Sequence, residues 1–356
     1  MAKGSILVTG ANGGLGSDIV GQILSRPSLA QDYHGLYAVR KVETADTVKG
    51  VLRGAAKAKH QYDLISLDLS SLESVRKVAA DINARVASGE IPPLRALVLS
   101  AAYQEHFDQN FTKDGFDMTF QASYLSHFLL TLLLLQSLDK EEGRVVVLGS
   151  WTHDTTDPRN KAGPFGDSYV PEEFQMIFTD PEGSTEPVAK GKWGVPAGRT
   201  DDPLAGFRRY GAGKLCEVMM MRELSRRIAK DPTLSKISVL GVDPGAMRSS
   251  LARRSGWFTR VLLVNVLLRI FAPIATWLNP DGDLRTTWKS AADTIHASFD
   301  TDGGLGEHPN GLYLNGSVIA EVGPEAKDET KCRRLWSDSL GYASIKEGDT
   351  VLADWR

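Results

Sequence analysis

The sequence has few cysteines and no pattern of metal-ligating residues. Its 356 residues include only two cysteines, Cys216 and Cys332, which lie far apart and form no CxxC pair. A disulfide framework and a structural zinc site are therefore not expected, and this cysteine usage is typical of a reducing compartment. The sequence thus predicts no metal site and a location in the cytoplasm.

The chain also lacks an excess of charge of either sign. It has 41 Lys and Arg residues against 44 Asp and Glu residues, which gives a net charge of −3. No basic surplus is available to attract nucleic acid, so a nucleic-acid partner is not expected. The hydrophobic content of 42% with 24% charged residues is ordinary for a folded globular chain and excludes intrinsic disorder.

No convincing membrane span is present. The first residues lead directly into a β-like run, without the apolar region of a signal peptide. The apolar stretch 124–138 is shorter than the roughly 20 residues that a span needs, which favours a buried helix. The stretch 256–278 is long enough but contains Arg260, Arg269 and Pro273. It favours a substrate lid or an oligomer surface, with peripheral membrane contact as the alternative and a true span least favoured.

Short apolar, β-branched runs alternate with longer helical patterns along the chain. Several of these runs are almost entirely apolar, such as 96–99 and 145–148. Uniformly apolar strands are typical of parallel sheets that helices cover on both faces. The sequence therefore predicts an α/β fold with a doubly wound parallel sheet of the Rossmann type.

The domain organisation is expected to be simple. Residues 1–300 form the predicted Rossmann-type domain. Residues 151–206 within it, rich in Pro, Gly, Asp and Thr, are interpreted as a long insertion loop, and 248–285 as the lid region over a substrate pocket. Residues 301–356 are interpreted as a C-terminal extension packed on the same domain.

A glycine-rich turn follows the first predicted strand and opens the first predicted helix. Such a turn lets the backbone approach a pyrophosphate, whose charge then meets the free N–H groups of the helix. Strand, turn and helix occur in the order that this function requires, which favours dinucleotide binding. The residues predicted to contact the cofactor here are Thr9, Gly10, Asn12, Gly14, Leu15 and Gly16.

The ends of the next two strands bear on which cofactor is used. Arg40, at the end of the second strand, suits the 2′-phosphate of NADP, although nearby Glu43 keeps NAD as an alternative. NADPH is therefore predicted to be preferred over NADH. Asp68 and Leu69, after the third strand, are predicted to contact adenine, and Asp68 serves equally well as a helix cap.

A second group of residues carries the predicted chemistry. Tyr210 and Lys214 are four residues apart, so they share one helical face, and a lysine charge there would lower the pKa of the phenol. Ser150 ends a strand at the carboxyl edge of the sheet and is placed to donate to a substrate carbonyl, or else to cap the following turn. The turn with Pro244, Gly245 and Met247 ends a further strand and offers backbone groups to a nicotinamide.

In this order, these motifs resemble the short-chain dehydrogenase/reductase family over roughly residues 5 to 300. The segment from Thr112 to Phe128 is similar to the retinol dehydrogenase and protochlorophyllide reductase branch, as is the long insertion before Tyr210. The resemblance implies that Tyr210 is the acid/base and that Lys214 holds the nicotinamide ribose. It also implies that Ser150 orients the carbonyl, while the cofactor supplies the hydride.

The chain departs from the family pattern in two places. Residues 99–102 read Leu-Ser-Ala-Ala where the family has Asn-Asn-Ala-Gly, although Ala101 is still expected to contact the cofactor. Ser123 stands where the family has the asparagine of its catalytic tetrad. Serine has a shorter reach and no amide, so either Ser123 substitutes with an extra water, or the proton path differs, or the chemistry is unusual.

The predicted function is an NADP(H)-dependent oxidoreductase that interconverts a carbonyl and an alcohol on a lipophilic small molecule, in secondary metabolism. Two alternatives stay open: a cofactor-binding protein with altered or non-redox chemistry, and light-driven reduction of a tetrapyrrole. The helices at 124–138 and 210–228 also allow a homodimer, as in family members. The lipophilic substrate rests on apolar residues that a core or dimer surface explains almost as well: Trp257, Phe258, Leu262, Leu263, Phe271 and Trp277.

Overall fold

The computed structural model describes residues 2–106, 108–162, 165–180, 183–199, 201–247 and 268–356. One sheet runs through these parts of the chain, in the order β3-β2-β1-β4-β5-β6-β7-β8. All neighbouring strands are parallel except β7 and β8. The strands are β1 (Gly4–Thr9), β2 (Tyr33–Val39), β3 (Tyr62–Ser66), β4 (Leu94–Leu99), β5 (Arg144–Leu148), β6 (Ser238–Asp243), β7 (Tyr313–Asn315) and β8 (Val318–Ala320).

Helices cover both faces of this sheet, and the predicted doubly wound α/β fold is confirmed. A π-helix at Phe120–Leu125 runs directly into α6. The α-helices are α1 (Gly14–Ser25), α2 (Pro27–Asp32), α3 (Asp46–Leu52), α4 (Ala55–Ala58), α5 (Leu72–Ala87), α6 (Ser126–Leu134), α7 (Glu186–Ala189), α8 (Ala205–Ile228), α9 (Leu268–Leu278), α10 (Thr287–Phe299) and α11 (Glu329–Tyr342).

The central strands are buried on both sides because their side chains alternate between two hydrophobic clusters. Ile6 and Val8 of β1 belong to the cluster beside α1 and α10, whereas Leu7 belongs to the cluster beside α5, α6 and α8. The alternation follows from the period of two residues in a strand. It explains why these strands are apolar at every position rather than at every second one.

The residues interpreted as a C-terminal extension contribute to the sheet itself. Strand β7 pairs with β6, and β8 forms the edge. The following helix, α11, packs against α8 and α6: the ring of Trp336 lies 5.0 Å from that of Phe128, and the hydroxyls of Tyr124 and Ser339 are 2.7 Å apart. This chain's own α11 therefore lies against part of the helical surface from which the sequence allowed a homodimer.

The insertion before α8 is ordered by bonds to distant parts of the chain. It contains short 3₁₀-helices and α7. The Glu325 carboxylate accepts from the amides of Ile177 and Phe178, at 2.9 and 2.6 Å, and Arg208 of α8 donates to the Ser168 carbonyl at 2.7 Å. Because these partners are remote in sequence, local periodicity could not predict them.

The two apolar stretches have different outcomes. Residues 124–137 fall in the π-helix, α6 and a 3₁₀-helix, and nearly all of them are buried, as expected from the sequence. In the described parts of the chain, no helix combines the length and apolar character that a membrane span needs. Of the residues that suggested a lid, Phe271 and Trp277 lie on α9 and are exposed. Four lie outside the described residues: Trp257, Phe258, Leu262 and Leu263.

Candidate active site

A cavity of about 750 Å³ lies at the carboxyl ends of the central strands. One end is formed by the glycine-rich turn between β1 and α1, and the other by Ser150 and Tyr210. In doubly wound sheets this edge is the usual ligand site, because loops of adjacent crossovers part there. Both groups of residues that the sequence singled out therefore face one cavity.

The glycine-rich turn requires glycine for steric reasons at two positions. Gly10 has φ of +69°, and a Cβ there would lie 2.8 Å from the Cα of Ala101. A Cβ on Gly16 would lie 2.2 Å from the carbonyl oxygen of Gly10. The turn can therefore close tightly only with these glycines, which brings the start of α1 to the cavity.

The amino-terminal end of α1 is chemically suited to an anion. The residue before it is Gly13, so no side chain caps the helix, and its first turn contains no acidic residue. The first N–H groups of a helix lack intrahelical acceptors and lie at the positive end of the helix dipole. Gly13, Gly14 and Leu15 line the cavity at this point. An anionic phosphate group fits this set of donors.

Two residues of the turn hold it in place. The Asn12 side-chain oxygen accepts from the Val48 amide at 3.1 Å and so ties the turn to α3. Thr9 is fully buried and does not line the cavity. Its hydroxyl accepts from the amides of Ser100 and Ala101, at 3.0 and 3.1 Å. Thr9, predicted as a cofactor contact, thus acts on the cavity through the backbone that follows β4.

The ends of β2 and β3 contribute differently. Arg40 and Lys41 are exposed and line the cavity, and neither forms an ion pair within the described residues. Asp68 does not line the cavity, because its carboxylate accepts from the amide and hydroxyl of Ser70, at 3.0 and 2.7 Å. Asp68 therefore closes the turn before α5, whereas the N-cap of that helix is Ser71 and not Asp68. The neighbouring Leu69 lines the cavity instead.

Ser150 and Tyr210 form the centre of the chemical end. Ser150 follows β5, and its hydroxyl oxygen accepts from the amide and hydroxyl of Thr152, at 3.3 and 3.0 Å. It therefore caps the short helix that follows, while its side chain also bonds to Tyr210. Tyr210 is half-buried on α8. The Lys214 ammonium lies 5.7 Å from the centroid of the Tyr210 ring, on the same helical face.

Lys214 has a partner that the sequence reasoning missed. Its ammonium is buried and donates to the Leu148 carbonyl at 2.7 Å and to Oε2 of Glu217 at 2.8 Å. Glu217 is one turn further along α8 and only 1% exposed. The i, i+3 spacing of a lysine and a glutamate was the available signal. The spacing alone could not reveal that both side chains are buried.

The electrostatics at Tyr210 differ from the prediction. Burial raises the pKa of Tyr210, and the Lys214 charge lowers it by a smaller amount, while Glu217 and Asp243 act upward. The net direction is therefore upward, opposite to that predicted from the Tyr–Lys spacing. For Lys214, burial lowers the pKa, but the nearby Glu217 and Tyr210 more than offset it and hold the pKa above its usual value.

Ser123, at the position of the family's catalytic asparagine, bonds to nearby backbone. It lies in the π-helix, is 1% exposed and does not line the cavity, although its neighbour Ala122 does. Its hydroxyl accepts from the Tyr103 amide at 3.1 Å and lies 3.4 Å from the Tyr103 carbonyl. The serine therefore fastens the segment after β4 to the π-helix, a bond its short side chain can make locally.

The turn after β6 is held by buried charges. Gly245 has φ of +72°, and its amide donates to the Asp243 carboxylate at 2.9 Å. Asp243 is 1% exposed, and burial raises its pKa. Arg285 donates to the Asp243 carbonyl at 2.9 Å, and Arg159 of the insertion lies 3.5 Å from its carboxylate. These partners fix the backbone that lines the cavity at Pro244, Gly245, Ala246 and Met247.

Beyond Tyr210, the cavity has an aromatic wall built from three separate segments. The ring of Phe165 stacks on His106, with centroids 5.3 Å apart, and on Phe207, with centroids 5.1 Å apart. Burial lowers the pKa of His106, so the ring is neutral at neutral pH. Trp151 also lines this end. The wall suits an apolar or flat ligand.

Within the described residues, one group has metal-ligand spacing outside the cavity. His296, Asp300 and Asp302, at the end of α10, bring ligand atoms within 4.8 Å of one another. Nδ1 of His296 already bonds to Asp300 at 3.0 Å. None of the three lines the cavity, so the group contributes nothing to the site.

Comparisons with known proteins identify relatives of this chain. The sequence profile of the short chain dehydrogenase family matches residues 5–161. A short-chain dehydrogenase of Talaromyces variabilis is 56% identical, over 99% of this chain and 99% of the relative. Human retinol dehydrogenase 13 is 27% identical, over 96% of this chain and 85% of the relative.

A solved structure extends the likeness to the fold. An angucycline C-6 ketoreductase with bound NADP superposes with a TM-score of 0.55 and 15% identity, covering 89% of this chain and 96% of that one. At this identity the likeness supports the Rossmann-type fold alone. Taken with the extensive identity to the Talaromyces protein, the conclusion is direct: this chain is a member of the short-chain dehydrogenase/reductase family of oxidoreductases, and it resembles the retinol dehydrogenase branch.

Proposed function

We propose that this protein is an NADPH-dependent reductase that converts a carbonyl of a lipophilic small molecule to an alcohol, and that the reaction is reversible. The observation that carries the proposal is the arrangement of one cavity, with the glycine-rich turn at one end and Ser150, Tyr210 and Lys214 at the other. A protein that only bound a nucleotide would have no physical need for that second group of side chains.

The nucleotide end fits a dinucleotide phosphate. Gly10 and Gly16 permit the close turn, and the uncapped start of α1 offers N–H donors to a pyrophosphate. Arg40 and Lys41 supply two exposed cations at the cavity rim, which suit a 2′-phosphate. When bound, the nicotinamide would supply or accept a hydride at the carbonyl carbon.

The chemical end provides orientation and a proton. The Ser150 hydroxyl would orient the substrate carbonyl and stabilise charge on its oxygen. The Tyr210 phenol would donate the proton that completes the alcohol. Because the pKa of Tyr210 is raised, the phenol keeps its proton at neutral pH, which is the form that carbonyl reduction requires. Lys214 lies behind this phenol and would hold the cofactor ribose, as the family resemblance implies.

The substrate end supports a lipophilic ligand. The aromatic wall of His106, Phe165 and Phe207 gives the carbonyl site an apolar neighbour. A ketoreductase that acts on an angucycline shares the fold, which is consistent with a role in secondary metabolism. We include that role, the cytoplasmic location and Ser123-independent proton transfer in the proposal.

The test combines binding and turnover in one preparation. NADPH and NADH are titrated by cofactor fluorescence, and a panel of hydrophobic ketones and aldehydes is then added to wild type and to Tyr210→Phe. We expect tighter binding of NADPH than NADH, and turnover that falls at least a hundredfold in Tyr210→Phe while NADPH binding is kept. Tyr62→Phe, at an exposed tyrosine outside the cavity, is the matched control and should turn over normally.

Two results would contradict the proposal. Binding of NADPH without turnover of any carbonyl or alcohol in a broad panel would favour altered or non-redox chemistry on this fold. Failure of wild type to bind either nucleotide would remove the assignment of the glycine-rich turn as well. A coloured, light-dependent preparation would instead support tetrapyrrole reduction.

A further inference from the structure

The positive charge of Lys214 is balanced by the buried carboxylate of Glu217. Lys214 and Glu217 lie on one face of α8, with 2.8 Å between Nζ and Oε2 and both side chains at 4% exposure or less. The same ammonium donates to the Leu148 carbonyl at the end of β5. Two of its three donors are therefore directed away from the phenol of Tyr210.

Glu217 has little else to bind. Its other oxygen, Oε1, is buried and has no hydrogen-bond partner within the described residues. A buried carboxylate with one unpaired oxygen is costly, and its only strong compensation is the Lys214 charge. A neutral side chain of the same size would carry a smaller desolvation cost at this position. The carboxylate therefore calls for an explanation beyond packing.

The charge of Glu217 also acts on Tyr210. It raises the pKa of the phenol, against the lowering by Lys214. Burial raises the pKa of Glu217 itself to about 7, so the carboxylate is charged above neutral pH, where a phenol titrates. Other titratable groups whose charges couple to Tyr210, Lys214 or Glu217 are Asp243 of β6, Tyr313 of β7, Tyr169 of the insertion, His127 of α6 and Cys216 of α8.

We propose that Glu217 is a positioning residue that holds the Lys214 ammonium against the Leu148 carbonyl and, through its charge, retains the acid proton on the Tyr210–Lys214 pair, so that the pair stays able to protonate a substrate carbonyl up to a higher pH. The inference rests on the proposed function and adds to it the side chain that controls the acid proton. It also makes Glu217 the side chain that balances the lysine charge, a task that Ser123 cannot perform from its place beside Tyr103.

The physical argument concerns how readily the Tyr210–Lys214 pair loses a proton. When Tyr210 and Lys214 are both protonated, the pair carries one positive charge, and the negative charge of Glu217 balances it. Without the carboxylate, the same pair carries an uncompensated positive charge in a buried site. The pair then loses its first proton at lower pH, whichever of the two groups releases it. The direction of the change does not depend on that assignment.

The test is Glu217→Gln, which keeps the size and the hydrogen-bonding oxygen but removes the charge. The pH dependence of kcat/KM is measured in both directions, with NADPH and a ketone and with NADP and the matching alcohol. In wild type, kcat/KM for reduction should decline at high pH as the acid proton is lost, and this decline is the high-pH limb. We expect the midpoint of the limb to lie about one pH unit lower in Glu217→Gln. The low-pH limb of oxidation should move down in parallel, because the same proton must leave the pair before an alcohol is oxidised and the overall equilibrium constant ties the two directions at any one pH. A purely structural role would lower the rates without moving either limb.

Two further variants make the result specific. Glu217→Asp keeps the charge and should return the limb most of the way to the wild-type pH. Glu223→Gln removes another buried glutamate of α8, one that pairs with Arg226 and Arg227 away from the cavity. It should lower thermal stability without moving the limb. An unmoved or raised limb in Glu217→Gln, or an equal shift in Glu223→Gln, would overturn the inference.

A second measurement does not depend on turnover. Ultraviolet difference spectra between each protein and its Tyr210→Phe counterpart isolate the titration of this phenol among the nine tyrosines. The Tyr210 signal should titrate at lower pH in Glu217→Gln than in the Glu217 protein. If wild type reduces no carbonyl, the proposed function fails, and this spectrum still decides whether Glu217 controls the proton. An identical titration in both proteins would reject the inference by itself.

Discussion

The two ends of the cavity are built by different means. At the nucleotide end, the backbone carries the binding groups: glycines permit a close turn, and the helix start presents N–H donors. At the chemical end, buried charged side chains from distant segments position the groups: Glu217 behind Lys214, and Asp243 beneath the turn at Gly245. The nucleotide end therefore depends on glycines and backbone groups, whereas the chemical end depends on buried side chains whose charges balance one another.

The difference teaches how each end should respond to change. A backbone site is sensitive to added atoms and to exposed charge at its rim, and it should tolerate a shift in pH. A site made of paired buried charges should respond to the removal of one charge, and its response should appear in pH profiles. Substitutions at each end can therefore break or sharpen the comparison.

The largest effect is expected at the glycine-rich turn, for Gly16→Ala. The new Cβ would lie 2.2 Å from the Gly10 carbonyl oxygen, so the turn must open. We expect the free energy of unfolding to fall by about 3 kcal/mol or more. Urea unfolding measures it. The control is Gly50→Ala in α3, where no atom lies within 4 Å of the new Cβ and helix propensity predicts a gain of up to about 1 kcal/mol. A Gly16→Ala protein as stable as wild type would show that the turn is not sterically closed.

The next effect concerns cofactor choice at the rim. Arg40→Ala removes an exposed cation that is expected to pair with a 2′-phosphate. The dissociation constant of NADPH should rise about tenfold to a hundredfold while that of NADH stays within about twofold. Fluorescence titration at two salt concentrations measures both. Arg53→Ala, at an arginine outside the cavity, is the control. Equal weakening of both nucleotides would place the 2′-phosphate away from Arg40.

A third prediction concerns His127, which bonds to Thr9 and is coupled electrostatically to Lys214. Its Nε2 lies 2.9 Å from the Thr9 hydroxyl, and burial lowers its pKa to about 3. Between the usual pKa of 6.5 and about pH 3, this histidine is protonated in the unfolded chain but stays neutral in the folded chain. Stability from this group is therefore complete above pH 6.5 and is lost as the pH falls toward 3.

The variant His127→Gln should remove that pH dependence. Between pH 6.5 and 5, wild type should lose about 2 kcal/mol more of its free energy of unfolding than the variant, since each pH unit corresponds to about 1.4 kcal/mol. Urea unfolding at both pH values measures the difference. The exposed His308, changed to Gln, should leave the pH dependence as in wild type. Parallel pH profiles for wild type and His127→Gln would mean that the folded chain protonates this histidine freely.

The smallest effect is expected for Ser123→Ala. Its hydroxyl bonds to the Tyr103 backbone, so its loss should lower the free energy of unfolding by about 1 kcal/mol. Because the side chain does not line the cavity, kcat should change by less than about threefold. Steady-state kinetics measures the change in kcat, and urea unfolding measures the change in the free energy of unfolding. A hundredfold loss of kcat at unchanged stability would show that Ser123 takes part in proton transfer.

What could be predicted from the sequence follows the same division. The alternation of strands and helices, the glycine-rich turn and the shared helical face of Tyr210 and Lys214 are local patterns, and the structure contains all of them. Glu217, Asp243 and Arg159 escaped prediction because a charged residue in a sequence does not reveal its burial or its remote partner. The upward pKa of Tyr210 was missed for the same reason, since burial outweighs the lysine that the spacing made visible.

The most direct test of the account follows a labelled hydrogen. Wild type and Tyr210→Phe are incubated with NADPH that carries deuterium at both C4 positions of the nicotinamide and with a hydrophobic ketone, and the products are analysed by mass spectrometry. The account predicts an alcohol with one deuterium on its carbinol carbon from wild type, and at least a hundredfold less of it from Tyr210→Phe. An unlabelled alcohol, or equal amounts of labelled alcohol from both proteins, would contradict it.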